Sequence, residues 1–171
     1  MTLVTEWMII ANGEHALAID TGSNIITNSG TLEATGSGGL IIESGVDNSG
    51  HLWANDGDIT VHGDVTGAGD ATISGTATLE FGAASSADTT FADGGDGTLK
   101  LDDSSGFTGA VSGFNHGDSL DLGDVAFGSG TGTTLSYSAN GEGTGGTLNV
   151  SDGANTAHIA LEGEYTTAGF E

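Results

Sequence analysis

Aspartates crowd two short stretches of the chain. Asp93, Asp96, Asp102 and Asp103 fall within residues 92–103, and Asp118, Asp121 and Asp124 within 117–124. Interspersed with glycine, such carboxylates suit a hard divalent ion, because Ca²⁺ takes several oxygen ligands from rigid turns. These seven residues are the candidate metal ligands and Ca²⁺ the candidate ion; solvated turn carboxylates are the competing explanation of the same pattern. The five histidines, His15, His51, His62, His116 and His158, show no paired spacing. Only His51 and His62 are close in sequence, and at that separation they fall on different faces, so they read as exposed or turn histidines rather than transition-metal ligands.

Reactive constellations are missing. There is no Gly-x-Ser-x-Gly elbow, no His-Glu-x-x-His helix and no phosphate-cradling loop. A glycosidase needs only two carboxylates at a set separation, and aspartate pairs abound, but sequence does not place them across a cleft. A lyase acting on uronates needs cationic groups, and Lys100 is the only lysine or arginine. Trp7 and Trp53, the only tryptophans, serve equally as packing at a cap or edge. The chain is therefore expected not to be an enzyme, with no catalytic and no cofactor-binding residue assigned.

Charge narrows the partners. With 24 acidic residues against one basic residue, the formal net charge is −23. Such a surface does not neutralise phosphates, which argues against nucleic acid and against docking on an anionic membrane. It repels itself and gains stability from screening salt or bound cations. No cysteine is present, so neither disulfides nor thiolate sites contribute. The apolar run from Trp7 to Ala11 is too short for a signal peptide and lacks a basic flank, and no stretch approaches a membrane span. The expectation is an extracellular protein exported without a recognisable N-terminal signal peptide, its targeting signal lying in a longer parent chain or being of a C-terminal kind.

The elements that must position these residues are legible as a period. Ile59-x-Val61, Leu79-x-Phe81 and Leu99-x-Leu101 begin 20 residues apart, as do the turn signals Asn28-Ser29-Gly30 and Asn48-Ser49-Gly50. An interval of that size is one coil of a β-solenoid, too small to bury its own core and stable only when stacked. The 32 glycines and the absence of proline fit a turn-dense β protein with no collagen period. Setting 26–45 over 46–65 aligns Asn28 with Asn48, Leu32 with Leu52 and Ala34 with Ala54. This predicts an aliphatic stack inside and an amide ladder at one corner. Thr76-x-Thr78 occurs once, and Asp56 and Asp58 at the aligned positions break any threonine ladder of the ice-binding kind.

The pattern divides the chain into residues 1–24, an N-terminal cap or a set of assembly strands; 25–125, the solenoid coils; and 126–171, an antiparallel β-meander capping the far end. The predicted fold class is all-β, a parallel β-solenoid (β-helix or β-roll) of about 20-residue coils with that C-terminal meander. Three apolar runs separated by polar turns carry the meander: 134–138, 146–150 and 156–161. Two Gly-rich links, 128–133 and 140–145, leave low-complexity disorder as the alternative to a turn.

Residues 94–102 (GGDGTLKLD) are similar to the G-G-x-G-x-D-x-U-x repeat that binds Ca²⁺ in parallel β-rolls, with Leu99 where the repeat has Asp. Residues 69–82 (GDATISGTATLEFG), 98–122 (TLKLDDSSGFTGAVSGFNHGDSLDL), 134–153 (TLSYSANGEGTGGTLNVSDG) and 156–165 (TAHIALEGEY) resemble a module of large bacterial secreted adhesin-like repeat proteins. Those proteins also carry VCBS and haemolysin-type calcium-binding repeats. The resemblance implies a β-solenoid or β-roll, export without a cleaved N-terminal signal, folding aided by Ca²⁺, and a role in adhesion or biofilm. The expected function is thus a non-enzymatic extracellular structural or adhesive module of a bacterial surface or biofilm matrix. Its partner would be a cell-surface or polysaccharide ligand, or adjacent repeats of a longer chain. The alternative is a filament subunit, a homopolymer joined end to end by β-strand addition; a polysaccharide-active β-helix enzyme is the more distant one.

Overall fold

The computed structural model describes residues 1–127 and 132–170. It is a parallel β-solenoid of about six turns with an antiparallel sheet at one end. The first two turns contain β1 (Val4–Thr5), β2 (Met8–Ala11), β3 (Leu17–Ile19), β4 (Ile26–Asn28), β5 (Thr31–Ala34) and β6 (Leu40–Ile42). The next two contain β7 (Val46–Asn48), β8 (His51–Asn55), β9 (Ile59–Val61), β10 (Val65–Thr66), β11 (Asp70–Ser74) and β12 (Thr78–Phe81). β13 (Asp88–Phe91), β14 (Thr98–Leu101), β15 (Ala110–Ser112) and β16 (Ser119–Leu122) complete the coils. β17 (Thr134–Ala139), β18 (Gly145–Ser151) and β19 (Thr156–Glu162) form the end sheet.

Three walls result. One sheet runs β1-β4-β7-β10, and a second runs β3-β6-β9-β12-β14-β16. The third and longest runs β2-β5-β8-β11-β13-β15 and continues through β19, β18 and β17. β19 joins the coil wall in parallel, with Val111 beside Leu161, and then β18 and β17 follow antiparallel.

Alternation along each short strand sends one set of side chains inward and the other to solvent. Leu40, Ile59, Leu79, Leu99 and Leu120 pair in register up one wall, and Ile42, Val61, Phe81, Leu101 and Leu122 beside them. Leu32 over Leu52 continues the interior on the neighbouring wall. Ile42, Ile59, Leu79, Leu99 and Leu32 are fully buried, each contributing about 1.5–3 kcal/mol through burial. Outward, Thr60, Glu80, Lys100 and Asp121 form one polar row that continues through Ile41 and Ala18 of the first coils.

Residues 1–24 are more ordered than the sequence pattern indicates. β1, β2 and β3 each pair in parallel with the strand of the next coil, so this segment forms the first turn of the stack. Its step is longer, with Leu17 beside Leu40 and Ile9 beside Leu32, because the corner 20–25 between β3 and β4 is longer than its equivalent 43–45 between β6 and β7. That length hid it from a 20-residue period. Of the Gly-rich links, the stretch 140–145 is an ordered turn in which the Asn140 side chain accepts from the Glu142 and Thr144 amides. Positions 128–131 of the other link lie outside the described residues.

Corner geometry explains two glycines. Gly75 and Gly117 both have positive φ, and a Cβ would collide with the carboxylates of Asp56 and Asp96 respectively. Glycine is the residue that meets both demands.

Candidate functional site

The coil stacking places the seven candidate aspartates at corners and on one outer wall. Asp103 caps the short 3-10 turn Ser104–Gly106, its carboxylate accepting from the Gly106 amide at 3.0 Å and the Ser105 hydroxyl at 2.8 Å. Asp124, one coil later, accepts from the Ser104 amide at 3.2 Å. Asp102 approaches the same corner: a Cβ on Gly123 would lie 2.7 Å from its Oδ1. Asp102, Asp103 and Asp124 therefore surround one turn.

A second corner gathers Asp96 and Asp118. The Asp118 carboxylate accepts from the Gly97 amide at 3.1 Å and from the Asn115 amide at 2.9 Å, while Asp96 packs over Gly117. Asp93 is exposed just beyond β13, and Asp121 projects outward from β16. The two stretches thus converge through stacking, although they are sequence-distant. Several of these carboxylate oxygens are committed to backbone N–H groups, which fix the corners. Among the described residues, no three His, Cys, Asp or Glu side chains are arranged to hold a metal ion. One oxygen is spare: Asp124 Oδ1 is buried without a hydrogen-bond partner, as is the Ser104 hydroxyl on the same turn.

Lys100 sits in the middle of the outer acidic row. Its Nζ lies 2.7 Å from Glu80 Oε1 and 3.2 Å from Asp102 Oδ1. The Glu80 hydrogen bond, reinforced by Asp102 and opposed by burial, holds the ammonium above its ordinary pKa. His51 and His62 occupy different walls, as their spacing indicates, each beside a carboxylate: His51 Nδ1 is 2.7 Å from Asp70 Oδ1, and His62 Nδ1 is 2.7 Å from Glu43 Oε2.

An open cleft of about 1090 Å³ lies where the last coil stops and the end sheet overhangs it. β16 forms one side and the inner face of β17–β18 the other, with Leu120, Leu148 and Val150 at its floor. Phe114, Tyr165 and Phe170 stack at one end, the Phe114 and Phe170 rings being 6.2 Å apart and nearly parallel. The Tyr165 hydroxyl donates to the Phe114 carbonyl at 2.9 Å, joining the C-terminal tail to the last coil. Burial, with the nearby Tyr137 and Asp118, raises the Tyr165 pKa above its ordinary value. Sequence reasoning missed this cleft. A signal existed: six of the eight phenylalanine and tyrosine residues lie after position 105, where the 20-residue period fails.

Chemically, the site offers an apolar, aromatic-ended recess with an acidic rim of Asp118, Asp121 and Glu164. In comparisons with known proteins, no family model, no curated protein and no solved structure matches this chain.

Proposed function

We propose that this chain is a non-enzymatic structural or adhesive module of a bacterial cell surface or biofilm matrix, working outside the cell. The observation that carries the reading is the side wall. Three in-register parallel sheets make a rod whose outward positions beyond the first coil are largely polar. Each coil is held to the next by backbone hydrogen bonds along all three walls, so a load at one end is shared rather than concentrated. The charge of −23 keeps rods apart and recruits cations, Ca²⁺ among them, as counter-ions or as bridges to acidic polysaccharide. The sequence resemblance to secreted adhesin-like repeats supports the same role.

The test is retention of the fluorescently labelled chain on bacterial cells and on purified matrix polysaccharide, with and without Ca²⁺, against an acidic globular protein of similar size. Saturable retention with no release of reducing or unsaturated sugar supports the proposal. Sugar release with turnover replaces it with the polysaccharide-active reading, and retention no greater than the control removes the adhesive role. A second reading, self-association by strand addition, is favoured by one specific feature: β1, β2 and β3 all leave their outer edges unpaired among the described residues.

A further inference from the structure

The two ends of the rod differ. At the N-terminal end, all three walls stop on a free strand edge. The outward positions of that first coil are also apolar: Val4, Met8 and Ile10 stand where the next coil carries Thr27, Thr31 and Glu33. Trp7 is 84% exposed, and Leu17 and Ile25, at other corners of the same end, are exposed too. Among the described residues, the large exposed apolar side chains belong to this end, apart from Phe127 and Leu135 at the other. Unpaired edges beside a patch of this kind mark an interaction surface.

We infer that the first coil is a homodimer interface, two copies meeting N-terminal end to N-terminal end about a two-fold axis, with β2 of each paired antiparallel. This deepens the self-association reading and is independent of the adhesive one. The occupant must bring its own free edges, an apolar surface and little negative charge. The opposite end of the same chain leaves β16 free at the edge of its wall, but its longest wall is already occupied and it is acidic. If the β3 of an incoming copy took the place beyond β16, its β2 would meet the position already filled by β19, with β18 and β17 beyond it. That end also carries Asp118, Asp121 and Asp124 within seven residues, whereas residues 1–24 hold only Glu6, Glu14 and Asp20. Head-to-tail growth is therefore blocked by the chain's own end sheet.

The N-terminal end fits a copy of itself. A two-fold axis across the rod reverses strand direction, so β2 meets its equivalent antiparallel. β2 reads Met8-Ile9-Ile10-Ala11. Centred on Ile9, the pairing sets Ile9 opposite Ile9 of the second copy and Met8 opposite its Ile10. The outward side chains then form a closed apolar strip of two Met–Ile cross-strand pairs, flanked by Trp7. Because this contact is isologous, it ends at two copies and satisfies the edge that would otherwise recruit other strands.

The experiment is light scattering after size exclusion, with sedimentation velocity, on the 171-residue chain at several concentrations and NaCl levels. Twice the 16.8 kDa chain mass is expected, with the dimer fraction rising with salt because both partners are strongly acidic. Ile10→Glu should give a monomer that keeps the wild-type circular-dichroism spectrum and melts at a midpoint independent of concentration, since Ile10 points outward and is 44% exposed. Thr90→Glu, outward on β13 of the same sheet, should remain dimeric. As a check independent of stability, Met8→Cys/Ile10→Cys in this cysteine-free chain should give a covalent dimer on oxidation that reductant reverses. A wild-type monomer at every concentration, open-ended threads, or no cross-linked dimer from the double variant would each overturn the inference.

Discussion

The Asn28 side-chain amide donates to Oδ1 of Asn48, its equivalent one coil later, at 2.7 Å, and both side chains are fully buried. Asn48 in turn donates to the Asp70 carbonyl at 3.3 Å, so the ladder runs across three coils. A buried amide is tolerable only when its polar atoms are paired, and stacking identical residues in register pairs them.

Asn48→Ala should therefore cost its own bonds and also remove the shorter of the two made by Asn28 Nδ2, leaving only the His51 carbonyl at 3.3 Å. We expect destabilisation of about 1–3 kcal/mol, read as a lower melting midpoint by circular dichroism. A midpoint within error of wild type would show that the ladder contributes nothing.

Leu79 sits between Ile59 and Leu99 in the interior column and is fully buried. Leu79→Ala should lose about 2–5 kcal/mol. Thr72→Ala, outward on β11, should change stability by no more than about 0.5 kcal/mol. Equal effects from the two in denaturant titration would contradict the assignment of inward and outward faces.

Asp152 accepts backbone hydrogen bonds from Asn155, Ala126 and Ala154, which hold its pKa below the ordinary carboxylate value. A depressed folded-state pKa stabilises above the unfolded value and is lost as pH falls through the folded one. Asp152→Asn should therefore differ most from wild type near neutral pH, and the difference should shrink below about pH 4. The measurement is the gap between the two melting midpoints across pH, which cancels the relief of general charge repulsion on acidification. A gap that stays constant to pH 2 would exclude the linkage.

Calcium and plain ionic strength separate cleanly. If the corner carboxylates around Ser104 engage Ca²⁺, millimolar CaCl₂ should raise the melting midpoint beyond NaCl of matched ionic strength, and Asp124→Asn should reduce the excess. Identical shifts from the two salts would reduce calcium to a screening ion.

The solenoid was legible because stacking writes itself into sequence. Where each residue rests on its equivalent one coil away, the same environment selects the same residue type, and Ile59, Leu79 and Leu99 record that directly. The end strands were equally legible, from three apolar runs with polar turns. The first coil was not, because its one longer corner, 20–25, shifts the interval while leaving the strand pairing of Leu17 with Leu40 intact. Nor was the aromatic cleft, since Phe114, Tyr165 and Phe170 meet only after the tail folds back 51 residues to the Phe114 carbonyl.

By itself, then, the sequence determined the wall: a periodic interior, a polar and acidic exterior, and the amide ladder of Asn28 and Asn48. Those features repeat locally, coil after coil, and local repetition survives in one dimension. The tertiary structure alone decided the ends, because an end has no equivalent to repeat. Whether a strand edge is free, as at β2, or extended by another strand, as at β15, depends on which distant segment arrives there. The same holds for Asp103, Asp118 and Asp124, each of which accepts from a backbone amide that no periodicity identifies.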